Sequence, residues 1–287
     1  MNHVVPAAEP VSVRPTPPAA AVSAPSAGKQ FRLGRLFAAD GRAVILPVDH
    51  GTMLGRIAGL EDPVGLMTRF LPLACDGFLL GPRVAERTSA LFARRGAPAR
   101  LITIDSYWRG SAVARHVLIT SVARAAALGA DGVKVLMPWD VPPEERGSCA
   151  GLVATVIAEA EQYGLPVMVE PICLAAPRPP DAVAIEGDGG RMAAELGADI
   201  IKVMYPGDPD LLGAWCAELA VPLVILGGPA AGQNSGTSGT EELCTLVADA
   251  VAAGARGITI GRRVWQRPVG EATEVLGRLA AIVHPAP

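Results

Sequence analysis

Eight short aliphatic runs, with longer helix-spaced segments between them, predict a (β/α)8 barrel. Three observations carry that reading. The apolar runs are near-continuous rather than alternating, as in strands buried on both faces of a parallel sheet. The Ala-, Leu-, Arg- and Glu-rich segments between them often end in glycine, at Gly129, Gly164 and Gly254, as helix C-termini do. Two helix-to-strand junctions are nearly repeated: Leu128-Gly129-Ala130-Asp131-Gly132 and Leu196-Gly197-Ala198-Asp199-Ile200. A doubly wound sheet is the competing architecture. Its mark is a GxGxxG after the first strand, and Val48-Asp49-His50-Gly51-Thr52 stands there instead.

Along the chain, residues 1–28 are rich in Pro, Ala, Ser and Val without a helical or strand period, so a disordered tail is expected. Met1-Asn2-His3-Val4-Val5 lacks the basic start and apolar core of a secretory signal. One barrel domain is expected over 29–287, with packed structure from about Phe31. The first strand run, 43–48 (AVILPV), leads to Asp49 and His50. The second, 77–80 (GFLL), leads to Gly81-Pro82-Arg83, and the third, 101–104 (LITI), to Asp105. Residues 113–128 are spaced as a helix that contains His116. The fourth run, 132–137 (GVKVLM), carries Lys134 and leads to Trp139; helical spacing returns over 149–163. The fifth, 167–170 (VMVE), ends in Glu170, and the sixth, 199–204 (DIIKVM), carries Lys202 just before Tyr205. The seventh, 222–226 (PLVIL), ends in Gly227-Gly228-Pro229, ahead of a helix over 241–253. The eighth, 257–260 (GITI), ends in Gly261-Arg262-Arg263.

Composition excludes several classes. A formal charge of −3 gives no reason to expect a nucleic acid or an anionic membrane as partner. No apolar run reaches the roughly 18 residues of a membrane span. Five scattered cysteines, an odd number with no CxxC spacing, suit a reducing cytoplasmic compartment rather than a disulfide framework or a zinc ribbon. A homo-oligomer is expected.

Lysine is the chemical clue. Of 25 basic residues only Lys29, Lys134 and Lys202 are lysine. Lys29 lies in the Pro/Ala-rich lead-in, but Lys134 and Lys202 sit inside apolar runs, where a buried ammonium is costly. Lysine, unlike arginine, loses its proton at accessible pH and attacks a carbonyl to form a Schiff base. The plainer reading is a lysine that snorkels or pairs with a carboxylate. In a barrel the strand C-termini form the active mouth, which would gather Asp49, His50, Asp105, Lys134, Glu170, Lys202 and Tyr205. That set suits imine chemistry, which needs an amine nucleophile and groups to move protons. Lys134, as a like charge, is expected to help keep Lys202 neutral. Glycine-rich loops after the last two strands offer backbone N–H groups to a phosphate at Gly227, Gly228 and Gly261, with Arg262 adding charge and Asp105 a further substrate contact. Gly232 to Thr240 reads as a long flexible loop at the same rim. His50 is the one histidine at a strand end, so neither a metal nor a cofactor is expected.

From about residue 30 to 284 the chain resembles the archaeal-type class I fructose-bisphosphate aldolases and the related 2-amino-3,7-dideoxy-D-threo-hept-6-ulosonate synthases. The likeness rests on Val48-Asp49-His50-Gly51, Gly197-Ala198-Asp199-Ile200-Ile201-Lys202, Leu226-Gly227-Gly228-Pro229 and Ile260-Gly261-Arg262-Arg263-Val264-Trp265-Gln266-Arg267. It implies a barrel aldolase in which Lys202 is the Schiff-base lysine, Asp49 orients or protonates substrate, and the two glycine loops hold phosphate. One departure matters: that family commonly has a tyrosine proton donor just after the fourth strand, and Pro138 stands there. Val133-Lys134-Val135-Leu136-Met137 looks instead like the lysine segment of tagatose-bisphosphate-type and sulfosugar aldolases. Proton transfer then falls to Tyr205, His50, Glu170 or Lys134. The resemblance implies cleavage or formation of a phosphorylated ketose, or synthesis of a seven-carbon amino sugar-acid phosphate from dihydroxyacetone phosphate and aspartate semialdehyde. The reading from another class is a non-catalytic sugar-phosphate-binding barrel, which has no use for a buried Lys202. Asp105 and Glu170 read equally as structural ion-pair partners, His50 as a satisfied strand-end histidine, and Trp139 and Trp265 as packing residues.

Overall fold

The computed structural model describes residues 26–73, 75–108, 115–175, 177–228 and 237–285. Most of the expected tail, residues 1–25, lies outside them. In chain order the strands are β1 (Ala43–Pro47), β2 (Gly77–Leu80), β3 (Ala99–Thr103), β4 (Asp105–Trp108), β5 (Arg115–Leu118), β6 (Gly132–Pro138), β7 (Val167–Ile172), β8 (Ile200–Met204), β9 (Leu223–Leu226) and β10 (Gly257–Thr259). Eight of them, all parallel, close a barrel in the order β1-β10-β9-β8-β7-β6-β3-β2. The sequence runs match these strands to within two residues, because each is a stretch of Val, Ile and Leu buried from both sides.

The two extra strands correct one expectation. Residues 113–128 are not one helix: β5 pairs antiparallel with β4, Tyr107 facing His116 across the hairpin. The helix that follows is only Val122–Ala127, started by the Ser121 hydroxyl accepting from the Arg124 N–H at 3.1 Å. The Val-Leu-Ile run after His116 is as β-prone as it is helical, and pairing with Asp105–Trp108 decides it.

Side-chain alternation along the strands sets where the site forms. One parity points into the barrel. Ala43, Ile45, Leu79, Ala99, Leu101, Met168, Ile200 and Val224 fill its lower interior. The other parity, including Val44, Leu46, Val133, Val135 and Val203, packs outward under the helices. Further along on the inward parity come Asp49, Thr103, Lys134, Glu170 and Lys202, an ionic and polar layer above an apolar floor.

The floor is sealed by the helix Ala27–Leu36, whose Leu36 joins the interior cluster. This moves the domain start. Ser26 caps the helix, and Lys29 is buried, its Nζ 2.9 Å from Asp199 and 3.9 Å from Glu161. The repeated Gly-Ala-Asp junctions explain themselves here. Gly129 and Gly197 turn the chain at φ +77° and +96°, as only glycine does without strain. The aspartate two residues on then accepts an N–H at the start of the preceding barrel strand: Asp131 from Arg100 at 2.9 Å, Asp199 from Val167 at 2.9 Å. Asp76 does the same for Val44 at 2.7 Å. Each carboxylate also meets a cationic or imidazole group, Arg35, Lys29 and His284 respectively, so the floor is latched to both ends of the domain.

Candidate active site

A cavity of about 400 Å³ opens at the C-terminal ends of the barrel strands. It is lined by Asp49, His50, Lys134, Glu170, Lys202, Gly227, Gly228, Gly261 and Arg262, nine of the eleven residues the sequence singled out. Thr259 and Arg178, which sequence reasoning passed over, line it too.

Glu170 is the hub. Its Oε2 lies 2.6 Å from Lys134 Nζ and its Oε1 3.0 Å from Lys202 Nζ. Register explains the meeting: Glu170 sits opposite Leu136 on β6, one inward position above Lys134, while Lys202 rises from β8 on its other side. All three are buried. Burial alone would raise the Glu170 carboxyl, but the charges of Lys134 and then Lys202 outweigh it and hold the group at about 2. Burial likewise pulls Lys134 down, and Glu170, Asp105 and Asp49 reverse that, leaving Lys134 above the ordinary lysine value. Lys134 is therefore a firmly held cation with its own carboxylate. Lys134 and Lys202 meet through the one carboxylate they share.

Asp49 faces this pair from β1. Its Oδ2 accepts from the Thr103 hydroxyl at 2.6 Å, which fixes the carboxylate's plane. His50 stands next to it, Nδ1 3.7 Å from Asp49 Oδ1, its ring edge-on to Trp265 with centroids 5.5 Å apart. Burial lowers the His50 pKa, and the nearby Lys202 and Arg262 charges add to that against the opposing pull of Asp49 and Glu170. The imidazole is thus neutral near pH 7 and able to accept a proton.

On the neighbouring strands of the ring, Gly228 follows β9 at φ +74°, with open space where a Cβ would point. Gly261 has a different constraint: a Cβ there would sit 2.7 Å from the Pro47 carbonyl, the same carbonyl that accepts from Trp265 Nε1 at 2.9 Å. Gly227 is crowded by Ile260, 2.9 Å from its would-be Cβ. Arg262 is half-buried beside them; burial lowers its pKa, and its Nε finds no hydrogen-bond partner among the described residues. Pro229 and most of the loop expected over Gly232 to Thr240 lie outside the described residues; Thr237 already begins a helix that runs to Ala252.

Two expected site residues are placed elsewhere. Tyr205 follows β8 on the outward parity and packs, half-buried, against the apolar layer under the helices, so it does not line the cavity. Asp105 points inward but is fully buried beneath the β4–β5 hairpin. Its Oδ2 lies 2.6 Å from His116 Nε2 and accepts from the Leu136 N–H at 2.8 Å, away from the cavity wall. Asp105 ties the hairpin to β6 next to Lys134, and His116, to which the sequence assigned nothing, is its partner. Among the described residues no group of three or more His, Cys, Asp or Glu side chains gathers as metal ligands would.

Residues 43–267 match the DeoC/LacD family aldolase. The chain belongs to that family. Similar proteins include an uncharacterised aldolase of Saccharolobus solfataricus, 28% identical over 266 residues, covering 90% of this chain and 94% of the relative. A 2-amino-3,7-dideoxy-D-threo-hept-6-ulosonate synthase of Halobacterium salinarum is 30% identical over 90% of this chain and 92% of its own. A class 1 fructose-bisphosphate aldolase of Thermoproteus tenax is 29% identical over 87% and 92%. Among solved structures, an archaeal fructose-1,6-bisphosphate aldolase whose catalytic lysine is bound covalently to the substrate's carbinolamine intermediate superposes with a TM-score of 0.70 at 26% identity, covering 89% of this chain and 99% of that one. The DeoC/LacD chain described here is thus an aldolase-type enzyme on a (β/α)8 barrel, and a Schiff-base-forming fructose-1,6-bisphosphate aldolase is among the solved structures it resembles. No helix among its described residues is long and apolar enough to cross a membrane.

Proposed function

We propose that Lys202 forms an imine with a phosphorylated ketone such as dihydroxyacetone phosphate, whose phosphate lies at Gly227, Gly228, Gly261 and Arg262. The observation that carries this is the buried Lys134–Glu170–Lys202 bridge: one carboxylate serves two ammonium groups, so one positive charge is surplus. Lys134 is the better matched of the two, which leaves Lys202 as the amine to act. As the neutral amine it adds to the ketone carbonyl, giving a carbinolamine that loses water to the protonated imine. That cation draws electrons from the adjacent carbon, so a C–C bond there breaks to an enamine or forms from one.

Glu170 suits the proton transfers because its basicity depends on its neighbours. With both ammonium charges present it is a weak base, held at about 2. When Lys202 is neutral one of those charges is gone, and Glu170 binds a proton more readily at the stage where one must move. Neutral His50 and the Thr103-oriented Asp49 supply a second proton path on the β1 side. This replaces the tyrosine donor that Pro138 displaces. Similarity does not choose between ketose cleavage and the seven-carbon synthase, since relatives of both names are equally identical within one percentage point. Both begin with the same imine. The enzyme works in this reading as a cytoplasmic homo-oligomer.

The test is borohydride reduction with dihydroxyacetone phosphate, followed by peptide mass spectrometry. The adduct is expected on Lys202, and Lys202→Arg abolishes both adduct and turnover. An adduct on another residue, or near-normal turnover in Lys202→Arg, overturns the assignment.

A further inference from the structure

Arg178 belongs to none of the roles assigned so far, yet it lines the cavity. It follows β7, whose ring position is on the far side of Lys202 from β9 and β10. The phosphate loops and Arg262 therefore flank Lys202 on one side and Arg178 on the other. Its guanidinium is held in a fixed plane: Nη1 and Nη2 donate to Glu186 Oε1 and Oε2 at 2.7 and 2.8 Å. Glu186 is itself buried and also accepts the Cys173 N–H at 3.3 Å, so the carboxylate is the anchored member and the arginine the one presented. The Arg178 side chain is 32% exposed against 2% for Glu186. A guanidinium has five N–H donors, and Glu186 takes two, which leaves three for a ligand. The hydrogen bonds to Glu186, with its charge, raise the Arg178 pKa, so the cation is secure throughout the working range.

The arginine, not the carboxylate, is the member of the pair that reaches the cavity wall. We infer that Arg178 determines acceptor specificity: it binds an anionic group, carboxylate or phosphate, on the aldehyde that meets the Lys202 enamine. This rests on the imine reading above. The donor's phosphate occupies the β9–β10 side, the new C–C bond forms over Lys202, and the acceptor's anion reaches the β7 side. A rigid guanidinium fork suits either oxyanion through paired N–H donors.

The experiment compares kcat/KM for anionic and neutral aldehydes of similar size in the parent and in Arg178→Gln. Glyceraldehyde 3-phosphate against glyceraldehyde makes the phosphate arm, and aspartate semialdehyde against butanal the carboxylate arm. The anionic-to-neutral ratio is expected to fall by roughly ten- to a hundredfold in one arm, the loss typical of a charged hydrogen bond, and that arm identifies the anion. Arg178→Lys keeps the charge without the fork, and its ratio should fall in the same direction by less. Ratios unchanged in both arms, in a variant whose Lys202 still traps dihydroxyacetone phosphate with borohydride, overturn the Arg178 inference alone. A parent that traps no donor overturns the imine reading and this inference with it.

Discussion

Replacing Glu170 with glutamine keeps the shape of the hub and removes its charge. The amide oxygen can accept from one lysine, but its NH2 then faces the other, so two buried ammonium groups lose their only shared anion. The cost follows from the carboxyl's own position. It lies at about 2 instead of the ordinary 4.5, because the two lysine charges overcome the burial that would raise it. That difference is on the order of 3 kcal/mol of stability at neutral pH. It also falls near the range for breaking a buried ion pair by removing one partner, about 3–5 kcal/mol. For a chain of this size the melting temperature should drop by roughly 6 °C or more. The pH dependence is more diagnostic than the size. A depressed carboxyl contributes stability that is present above 4.5 and is lost as pH falls towards 2. A raised lysine contributes stability that is present below 10.5 and is lost as pH rises through its higher folded value. The gap between parent and Glu170→Gln should therefore be widest around pH 5–9 and narrow on both sides. Thermal unfolding followed by circular dichroism from about pH 2 to pH 11 measures it. A gap under about 1 kcal/mol at pH 7, or one that does not narrow towards acid, would falsify the ionised bridge and with it the proton-transfer scheme built on Glu170.

Other outcomes follow from the same geometry. Arg262→Ala should raise KM for phosphorylated ketones by about 1.5–3 kcal/mol in binding, measured against a dephosphorylated ketone whose KM should change far less. Gly228→Val should act the same way, with an added backbone penalty of roughly 1–2 kcal/mol because φ is +74° there; a variant at Gly261 is not a clean test, since its Cβ would strike the Pro47 carbonyl. His50, neutral through burial, should not limit the rate until pH falls below its ordinary 6.5, so an acidic limb of kcat/KM centred above 6.5 and abolished in His50→Gln would contradict its assignment. Starting the chain at Ser26 should leave the melting temperature unchanged, whereas Lys29→Met, which unpairs Asp199, should lower it by several degrees; equal stability of both would show that the floor helix adds nothing.

The barrel was legible in the sequence because its signals are local. Each strand is one aliphatic run, and the Gly-Ala-Asp junctions repeat because each turns the chain and caps a strand N–H in the same way. The cavity set was legible for nearly the same reason: residues at strand ends of inward parity point into the mouth. The two misplacements mark where that rule stops. Tyr205 is one residue off the inward parity of Lys202 and so faces the outer layer. Asp105 has the right parity, but it opens β4, and the pairing of that strand with β5 turns its carboxylate to His116 and the Leu136 N–H instead of the cavity. Arg178 lies in a Pro-rich stretch without period, and only the closed ring of strands brings it into the cavity on the other side of Lys202 from the glycine loops.

Lys29 tests the opening chemical argument most sharply. The scarcity of lysine picked out Lys134 and Lys202, and the third lysine was set aside because Pro and Ala surround it. Yet all three are buried, and each meets a carboxylate within 3.0 Å. Scarcity therefore marks burial in an ion pair, at the floor as at the mouth, and does not by itself mark an amine that reacts. What separates Lys202 is stoichiometry and position. Lys29 has Asp199 and, more distantly, Glu161 below a sealed floor. Lys134 has Glu170, with Asp105 and Asp49 behind it. Lys202 shares a carboxylate already matched to another cation, and it faces an open cavity. In the proposed function a buried amine turns to chemistry where its charge is in excess and a carbonyl can reach it; Lys134 and Lys202 both line the cavity, and the closer match of Lys134 to Glu170, 2.6 Å against 3.0 Å, is what favours Lys202.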